Sequence, residues 1–132
     1  MIIKLYYTVP VGGPPPLLAF IDTLEPKLRR KLLRLFLILL KTPLPCEPLV
    51  KHFSISKYST LYELRARSTV MVRIIFTIRE DGSILFLTPF VKKHSRNTMQ
   101  ALDASLKLLA QINNGTCSVQ EMPISQILGE SQ

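Results

Sequence analysis

The sequence contains little that would hold a metal ion, form a disulfide framework or cross a membrane. Only two cysteines and two histidines occur in 132 residues, and they show no spacing typical of a metal site. We therefore expect Cys46 and Cys117 to be reduced thiols, and we expect no metal and no other cofactor. The most apolar run, residues 35–40, is too short to span a bilayer, and the N-terminus lacks the pattern of a secretion signal. A cytoplasmic protein without membrane contacts is expected.

Acidic residues are also scarce. The chain has 9 Asp and Glu against 17 Lys and Arg, which gives a formal net charge of +8. Much of this charge is concentrated in residues 51–96, where basic residues outnumber acidic ones three to one. A concentrated excess of positive charge favours a polyanionic partner, whereas a dispersed excess needs no explanation beyond solubility.

The length and the pattern of elements indicate one small α+β domain. Residues 2–8 are β-branched and aromatic and predict a strand. Residues 17–24 predict a short helix, and residues 23–41 a longer one with Glu25 and Pro26 in its first turn. The proline-rich residues 42–48 are expected to form a linker. We expect the domain to span residues 1–115 and residues 116–132 to form a flexible tail.

Residues 61–93 are expected to form an antiparallel sheet. Apolar residues recur there at every second position, and Asp81-Gly82 is a strong signal for a two-residue hairpin turn. That turn would pair Arg79 with Ile84, Ile75 with Thr88, Arg73 with Phe90 and Met71 with Lys92. One face of the hairpin would carry the charged residues and the other would face the core. The predicted core face consists of Val72, Ile74, Phe76, Ile78, Leu85, Leu87, Pro89 and Val91.

The strand at residues 61–67 shows the same separation of charged and apolar positions. A short loop after it would place Arg65 directly opposite Arg73. Like charges that face each other in a sheet are destabilising, so a bound phosphate is one explanation for the pair. After the sheet, Asn97 is the predicted N-cap of a C-terminal helix, which residues 113–115 end. The apolar stripe of this helix is Leu102, Leu106, Leu109 and Ile112.

Four segments together resemble the phage-related HigB branch of the RelE/ParE toxin superfamily. They are, in chain order, EPLVKH at 47–52, LYELR at 61–65, VRIIF at 72–76 and LTPFVKK at 87–93. The resemblance covers roughly residues 1–112. It implies a small antiparallel RelE-like sheet of about four strands, with two N-terminal helices and one C-terminal helix.

The resemblance also implies a function. The chain would be the toxin of a type II toxin–antitoxin system, and its partners would be messenger RNA, the ribosome and an antitoxin, expected to be a small helix-turn-helix protein. Such toxins are expected to cleave RNA without metal, through attack of the ribose 2′-hydroxyl on the adjacent phosphate. The protein must then stabilise a dianionic phosphorane and move two protons.

Arginine suits the phosphorane because its planar fork donates two parallel hydrogen bonds to phosphate oxygens. Arg73 is our first candidate, and Arg65 and Lys93 match the family's other cationic positions. Lys92 would lie on the same face as Arg73. The remaining candidates are His94, as general acid or base, and Glu63, as a base or as an ion-pair partner of Arg65 or Arg73. The candidate phosphate contacts are Lys51, Lys57, Arg67 and Arg96.

Two other functions remain open at this point. One is a non-catalytic inhibitor that resembles the gyrase-inhibiting ParE relatives, which share the fold without the cationic RNA site. The other is a degenerate toxin that only binds antitoxin or RNA. This last hypothesis rests on residues 94–98, HSRNT, which replace the family's usual pattern after the Lys-Lys pair, and on the C-terminal helix, which offers no tyrosine or tryptophan for base stacking.

Overall fold

The computed structural model describes residues 3–41 and 48–123. Within these residues, three α-helices, one 3₁₀ turn and six strands follow each other. Their order is β1 (Leu5–Pro10), α1 (Pro16–Asp22), α2 (Pro26–Lys41), β2 (Val50–His52), the 3₁₀ turn (Ser56–Tyr58), β3 (Leu61–Arg67), β4 (Met71–Ile78), β5 (Ile84–Val91), α3 (Ser95–Asn113) and β6 (Cys117–Glu121). Cys46 and nearly all of the predicted linker lie outside the described residues.

The strands form one mostly antiparallel sheet in the order β2-β3-β4-β5-β1-β6. Only the β1–β5 pair is parallel among these neighbours. The predicted α+β class and the three helices are confirmed. The sheet has two strands more than expected, because β2 and β6, with 3 and 5 residues, are too short for alternation to be visible in the sequence.

The edge strand β6 corrects the prediction of a flexible tail over Cys117–Glu121. This segment pairs antiparallel with β1, from Pro10 opposite Cys117 to Tyr6 opposite Glu121. Cys117 is a buried free thiol. Because the partner strand lies at the other end of the chain, local sequence carries no signal for this pairing.

The sheet is buried on both faces, although the sequence pattern predicted a single core face. Helices α1 and α2 cover one face and form a core with residues such as Ile74, Phe76 and Phe86. Helix α3 covers part of the other face and packs against Ile75, Leu85 and others. The predicted single core face is therefore wrong for Leu85 and for Leu87, both of which lie under α3.

The β4–β5 hairpin turns through three residues and not two. The backbone N–H of Arg79 donates to the carbonyl of Ser83 at 2.8 Å, so Glu80, Asp81 and Gly82 form the loop. Gly82 has a φ of 85°, the left-handed conformation that three-residue hairpin loops require. Ile84 consequently pairs with Ile78, and the predicted pair of Arg79 with Ile84 is wrong.

A β-bulge further along the hairpin restores the predicted register. The pairing shifts between Ile75 and Phe76, so that Leu87 has no partner of its own on β4. Beyond this point Ile75 lies opposite Thr88 and Arg73 opposite Phe90, as predicted. The bulge adds one residue to β5 and cancels the extra residue in the turn.

Helix α3 begins two residues before the predicted N-cap. It starts at Ser95, and Asn97 lies in its first turn. The Asn97 side-chain oxygen accepts hydrogen bonds from the backbone N–H groups of Lys93 at 3.0 Å and His94 at 2.8 Å. Asn97 thus stabilises the start of the helix from inside it. The predicted end is confirmed, since α3 stops at Asn113 before Asn114 and Gly115.

Candidate functional site

Two arginines face each other across neighbouring strands. Arg65 of β3 lies directly opposite Arg73 of β4, which confirms the predicted register. Side chains alternate along a strand, so both arginines lie on the same face as Glu63. This face is the one that α3 partly covers.

Glu63 holds the two arginines together. Its carboxylate is buried, with 2% of the side chain exposed. Its Oε1 accepts a hydrogen bond from Nε of Arg65 at 3.0 Å and another from Nη1 of Arg73 at 2.8 Å. The second oxygen, Oε2, is buried without a hydrogen-bond partner among the described residues.

This carboxylate gives the arginine pair a structural explanation that needs no bound phosphate. Both ion pairs that the sequence analysis considered for Glu63 are present. The burial of Glu63 favours this anchoring role over a base that contacts substrate. The three side chains still carry one net positive charge, because one carboxylate faces two guanidinium groups.

The arginines border a cleft of about 330 Å³ at the end of β3. Strand β2 begins at Val50, opposite Leu64, and the cleft lies beside the residues of β3 that follow Leu64. The cleft combines positive charge with apolar surface. Its lining residues are Lys31, Pro48, Leu49, Arg65, Ala66, Arg67, Met71 and Arg73. Such a lining suits a phosphate whose sugar or base rests on the apolar part.

Both arginines keep donors that a ligand can use. Arg73 is 11% exposed and Arg65 27% exposed. Nη2 of Arg73 contacts the Met71 sulfur at 3.8 Å, and a thioether is a weak acceptor. An anion that enters the cleft can therefore replace this contact at little cost.

Lys31 and Met71 are cleft residues that the sequence analysis did not identify. Lys31 comes from α2, for which the sequence suggested no functional role, and its ammonium group donates to the backbone carbonyl of Arg67. Nothing in the local pattern indicates that α2 packs beside the end of β3. The spacing of the basic residues in α2 was the available signal, and it marks only the exposed side of the helix.

The predicted residues of the LTPFVKK segment lie next to the site by register. The backbone N–H of Lys92 donates to the carbonyl of Met71 at 2.8 Å, which confirms that pair and places Lys92 on the face of Arg73. Lys93 and His94 follow as exposed residues just before α3, and Arg96 is exposed in its first turn. The described contacts connect none of these last three side chains to the arginines.

Of the other predicted phosphate contacts, Arg67 lines the cleft, whereas Lys51 and Lys57 are not among its lining residues. Lys51 pairs with Glu63 across β2 and β3, and its ammonium group lies 5.4 Å from the centre of the Phe53 ring. Lys57 forms an ion pair with Asp103 of α3 at 3.4 Å. Lys51 thus shares the face of the site, whereas Lys57 joins the 3₁₀ turn to α3.

Asp103 is the centre of that second cluster. Its Oδ1 accepts a 2.6 Å hydrogen bond from the hydroxyl of Tyr58. This hydrogen bond, together with the nearby ammonium group of Lys57, lowers the pKa of Asp103. In turn, the contact with Asp103 raises the pKa of Lys57 and that of Tyr58. The cluster stabilises the position of α3 over the sheet.

The lowered pKa predicts a pH-dependent contribution of Asp103 to stability. Ionised Asp103 stabilises the fold above its ordinary pKa of 3.8, and this contribution is lost as the pH falls through the lowered value in the folded protein. Asp103→Asn should therefore unfold at lower urea concentration than wild type at neutral pH, and the difference should shrink in acid. The exposed Asp22→Asn variant is the control. A difference between Asp103→Asn and wild type that stays constant with pH would contradict the prediction.

Two features are absent from the part of the chain that the structure describes. No helix there has the length and apolar content needed to cross a membrane. In the same part of the chain, no three His, Cys, Asp or Glu side chains lie close enough together to hold a metal ion.

The fold and the site define a small α+β protein with a cationic, partly apolar cleft at the end of a mostly antiparallel sheet. Residues 19–110 match the model of one family, described as "Phage derived protein Gp49-like (DUF891)". The chain therefore belongs to the phage-derived Gp49-like family, a RelE-like toxin family. The matched segment includes every residue that lines the cleft. A comparison with curated proteins gives no match.

Proposed function

We propose that the protein is the toxin of a type II toxin–antitoxin system and cleaves messenger RNA without a metal ion, as the resemblance to the HigB branch implies. One observation carries the proposal: Arg65 and Arg73 meet at a single buried carboxylate beside a cationic cleft. Membership of the Gp49-like family supports the toxin part of the proposal. The ribosome and a small helix-turn-helix antitoxin are the proposed partners.

The reaction is a transesterification within the RNA strand. The ribose 2′-oxygen forms a bond to the adjacent phosphorus, and the bond from phosphorus to the 5′-oxygen breaks. The products are a 2′,3′-cyclic phosphate and a free 5′-hydroxyl. Between these states the phosphorus carries five oxygens and an extra negative charge, so fixed cations aimed at it lower the barrier.

Arg73 is the proposed principal donor to this phosphorane. Glu63 holds its Nη1 at 2.8 Å, which fixes the plane of the guanidinium, and Nη2 lies on the side of Met71. Because the side chain is 11% exposed, water screens its charge only weakly. Arg65, anchored to the same oxygen, supplies a second cation.

Two protons move in the reaction: the attacking 2′-hydroxyl gives its proton to water, and the departing 5′-oxygen receives a proton from the segment after β5. Histidine is the most common general acid in enzymes, and in the proposed mechanism the exposed His94 donates a proton to the departing 5′-oxygen. Lys92 and Lys93 contribute positive charge next to the phosphate. Glu63 acts as a positioning residue, since both of its ion pairs orient arginines.

The proposal predicts a defined set of products. The purified chain, treated with EDTA and desalted before it is mixed with messenger RNA and translating ribosomes, should leave fragments that end in a 2′,3′-cyclic phosphate. Sequencing of the 5′-hydroxyl ends would locate the cuts, which we expect within codons. Expression of the chain alone should arrest growth, and co-expression of the antitoxin should reverse the arrest.

Other outcomes would identify the alternative functions. Growth arrest with intact transcripts and DNA-damage signalling would point to a ParE-like gyrase inhibitor. Salt-sensitive RNA binding without cleavage, with or without ribosomes, would indicate a toxin that has lost its chemistry. Either result would overturn the proposed nuclease activity.

A further inference from the structure

Helix α2 presents a stripe of positive charge to solvent. With about 100° of rotation per residue, five of its basic residues fall within an arc of roughly 100° on one side, and all five are exposed. Ile38, which is 40% exposed, is the one apolar residue among them. We call this surface the α2 stripe, and its basic residues are Lys27, Arg30, Lys31, Arg34 and Lys41.

Among the described residues, no acidic side chain forms an ion pair with the α2 stripe. Helix α2 contains no Asp or Glu, and the ion pairs found within residues 3–41 and 48–123 involve none of the five cations. Glu25, just before the helix, accepts hydrogen bonds from Ser68 and Thr69 at 3.3 Å each. Its carboxylate therefore binds the hydroxyl groups of the β3–β4 loop.

The α2 stripe is continuous with the cleft. Lys31 belongs to both, since it lines the cleft beside Arg67 and donates to the Arg67 carbonyl. From Lys31 the cations continue along the helix, and the distance from Lys27 to Lys41 is about 21 Å at 1.5 Å per residue. An RNA strand that occupies the cleft can therefore also contact the α2 stripe, because the two surfaces meet at Lys31.

We infer that the α2 stripe binds the phosphate backbone of an RNA strand whose scissile phosphate lies in the cleft. The inference rests on the function proposed above for the cleft, and it adds a second, non-catalytic RNA surface. The composition favours RNA over a protein partner. The centres of protein interfaces are depleted in lysine and use aromatic anchors, whereas nucleic-acid interfaces are strongly positive.

Binding of RNA of two lengths tests this inference. The probes are 2′-O-methyl oligouridylates, which lack the attacking hydroxyl: a trimer, which fills little more than the cleft, and a dodecamer, which also reaches α2. The stripe variant carries Lys27→Glu, Arg30→Glu and Arg34→Glu. We expect it to bind the trimer like wild type and to lose the extra affinity for the dodecamer. Its salt slope for the dodecamer should fall by about 2, roughly 0.7 for each lost phosphate contact.

A matched control distinguishes the effect of where the charges lie from the effect of the net charge on RNA affinity. Lys4→Glu, Arg79→Glu and Lys107→Glu change the net charge equally at exposed residues outside α2, and this triple variant should keep most of the length-dependent affinity. Circular dichroism would confirm that both variants are folded. The inference is overturned if the stripe variant binds the dodecamer with wild-type affinity and salt slope, or if both triple variants lose affinity equally.

A third probe distinguishes RNA from an acidic protein. Poly-L-glutamate that bound the stripe as tightly as the dodecamer at equal salt would overturn the assignment to RNA. The result of this binding test does not depend on RNA cleavage, because the 2′-O-methyl probes lack the attacking hydroxyl. Length-dependent binding through α2 in a chain that cuts no RNA would refute the proposed nuclease and support the stripe, and cleavage with no contribution from α2 would do the reverse.

Discussion

Replacing Arg73 by alanine is expected to lower the rate of RNA cleavage by about 100- to 1,000-fold, the usual cost of removing one preorganised donor to a developing anion. The expectation follows from the position of Arg73, whose guanidinium is fixed by Glu63 and borders the cleft. Cells that express Arg73→Ala should therefore grow. Single-turnover cleavage of an RNA bound to ribosomes measures the rate directly.

Two further variants keep this prediction specific. Arg73→Lys retains a cation near Glu63 but loses the planar fork, so it should remain folded and still cleave more slowly than wild type. Arg79→Ala removes an exposed arginine that lies over the Tyr6 ring at 4.9 Å, away from the cleft, and should cleave normally. Full toxicity of Arg73→Ala in a folded protein would remove Arg73 from the mechanism.

Replacing Glu63 by alanine is expected to lower the free energy of unfolding by about 3 kcal/mol, the lower end of the range for breaking a buried ion pair. In this variant Arg65 and Arg73 lie opposite each other without the negative charge that offsets their repulsion. The lower end applies because 27% of the Arg65 side chain is exposed and water stabilises that charge. Urea unfolding measures the loss, and Glu80→Ala, at an exposed acid in the hairpin loop, should change stability little.

The amide variant separates the two roles considered for Glu63. Glu63→Gln keeps the shape and one acceptor oxygen, so it should be more stable than the alanine variant. If Glu63 only positions the arginines, Glu63→Gln should reduce the rate at all pH values and leave the shape of the pH profile unchanged. Loss of one limb of that profile would show that Glu63 transfers a proton, contrary to its proposed positioning role.

Strand alternation was sufficient to predict which charged residues share a face. On β3, the assignment of Glu63 and Arg65 to one side follows from the two-residue period alone. The pairing of Arg65 with Arg73 also follows from local sequence, because the short loop between β3 and β4 fixes the register. The excess of basic over acidic residues was equally visible, since it requires only the composition.

In the β4–β5 hairpin, local sequence rules predicted the turn but not the loop length or the register beside it. The turn signal at Asp81-Gly82 was recognised, but the loop has one residue more, and the bulge at Leu87 compensates for it further along. A bulge depends on how both strands pack between α1, α2 and α3. The sequence pattern therefore led to the correct partners near the site and to incorrect ones near the turn.

By itself, the sequence determined the α+β class, the three helices and the facing arginines, because each depends on residues close together in the chain. Only the tertiary structure decided that Glu63 is buried between those arginines and that Lys31 of α2 completes the cleft. It also decided that Cys117–Glu121 pairs with β1. The physical reason is the same in all three cases: burial and charge neutralisation depend on which distant segments pack together, and alternation along one segment carries no information about its neighbours.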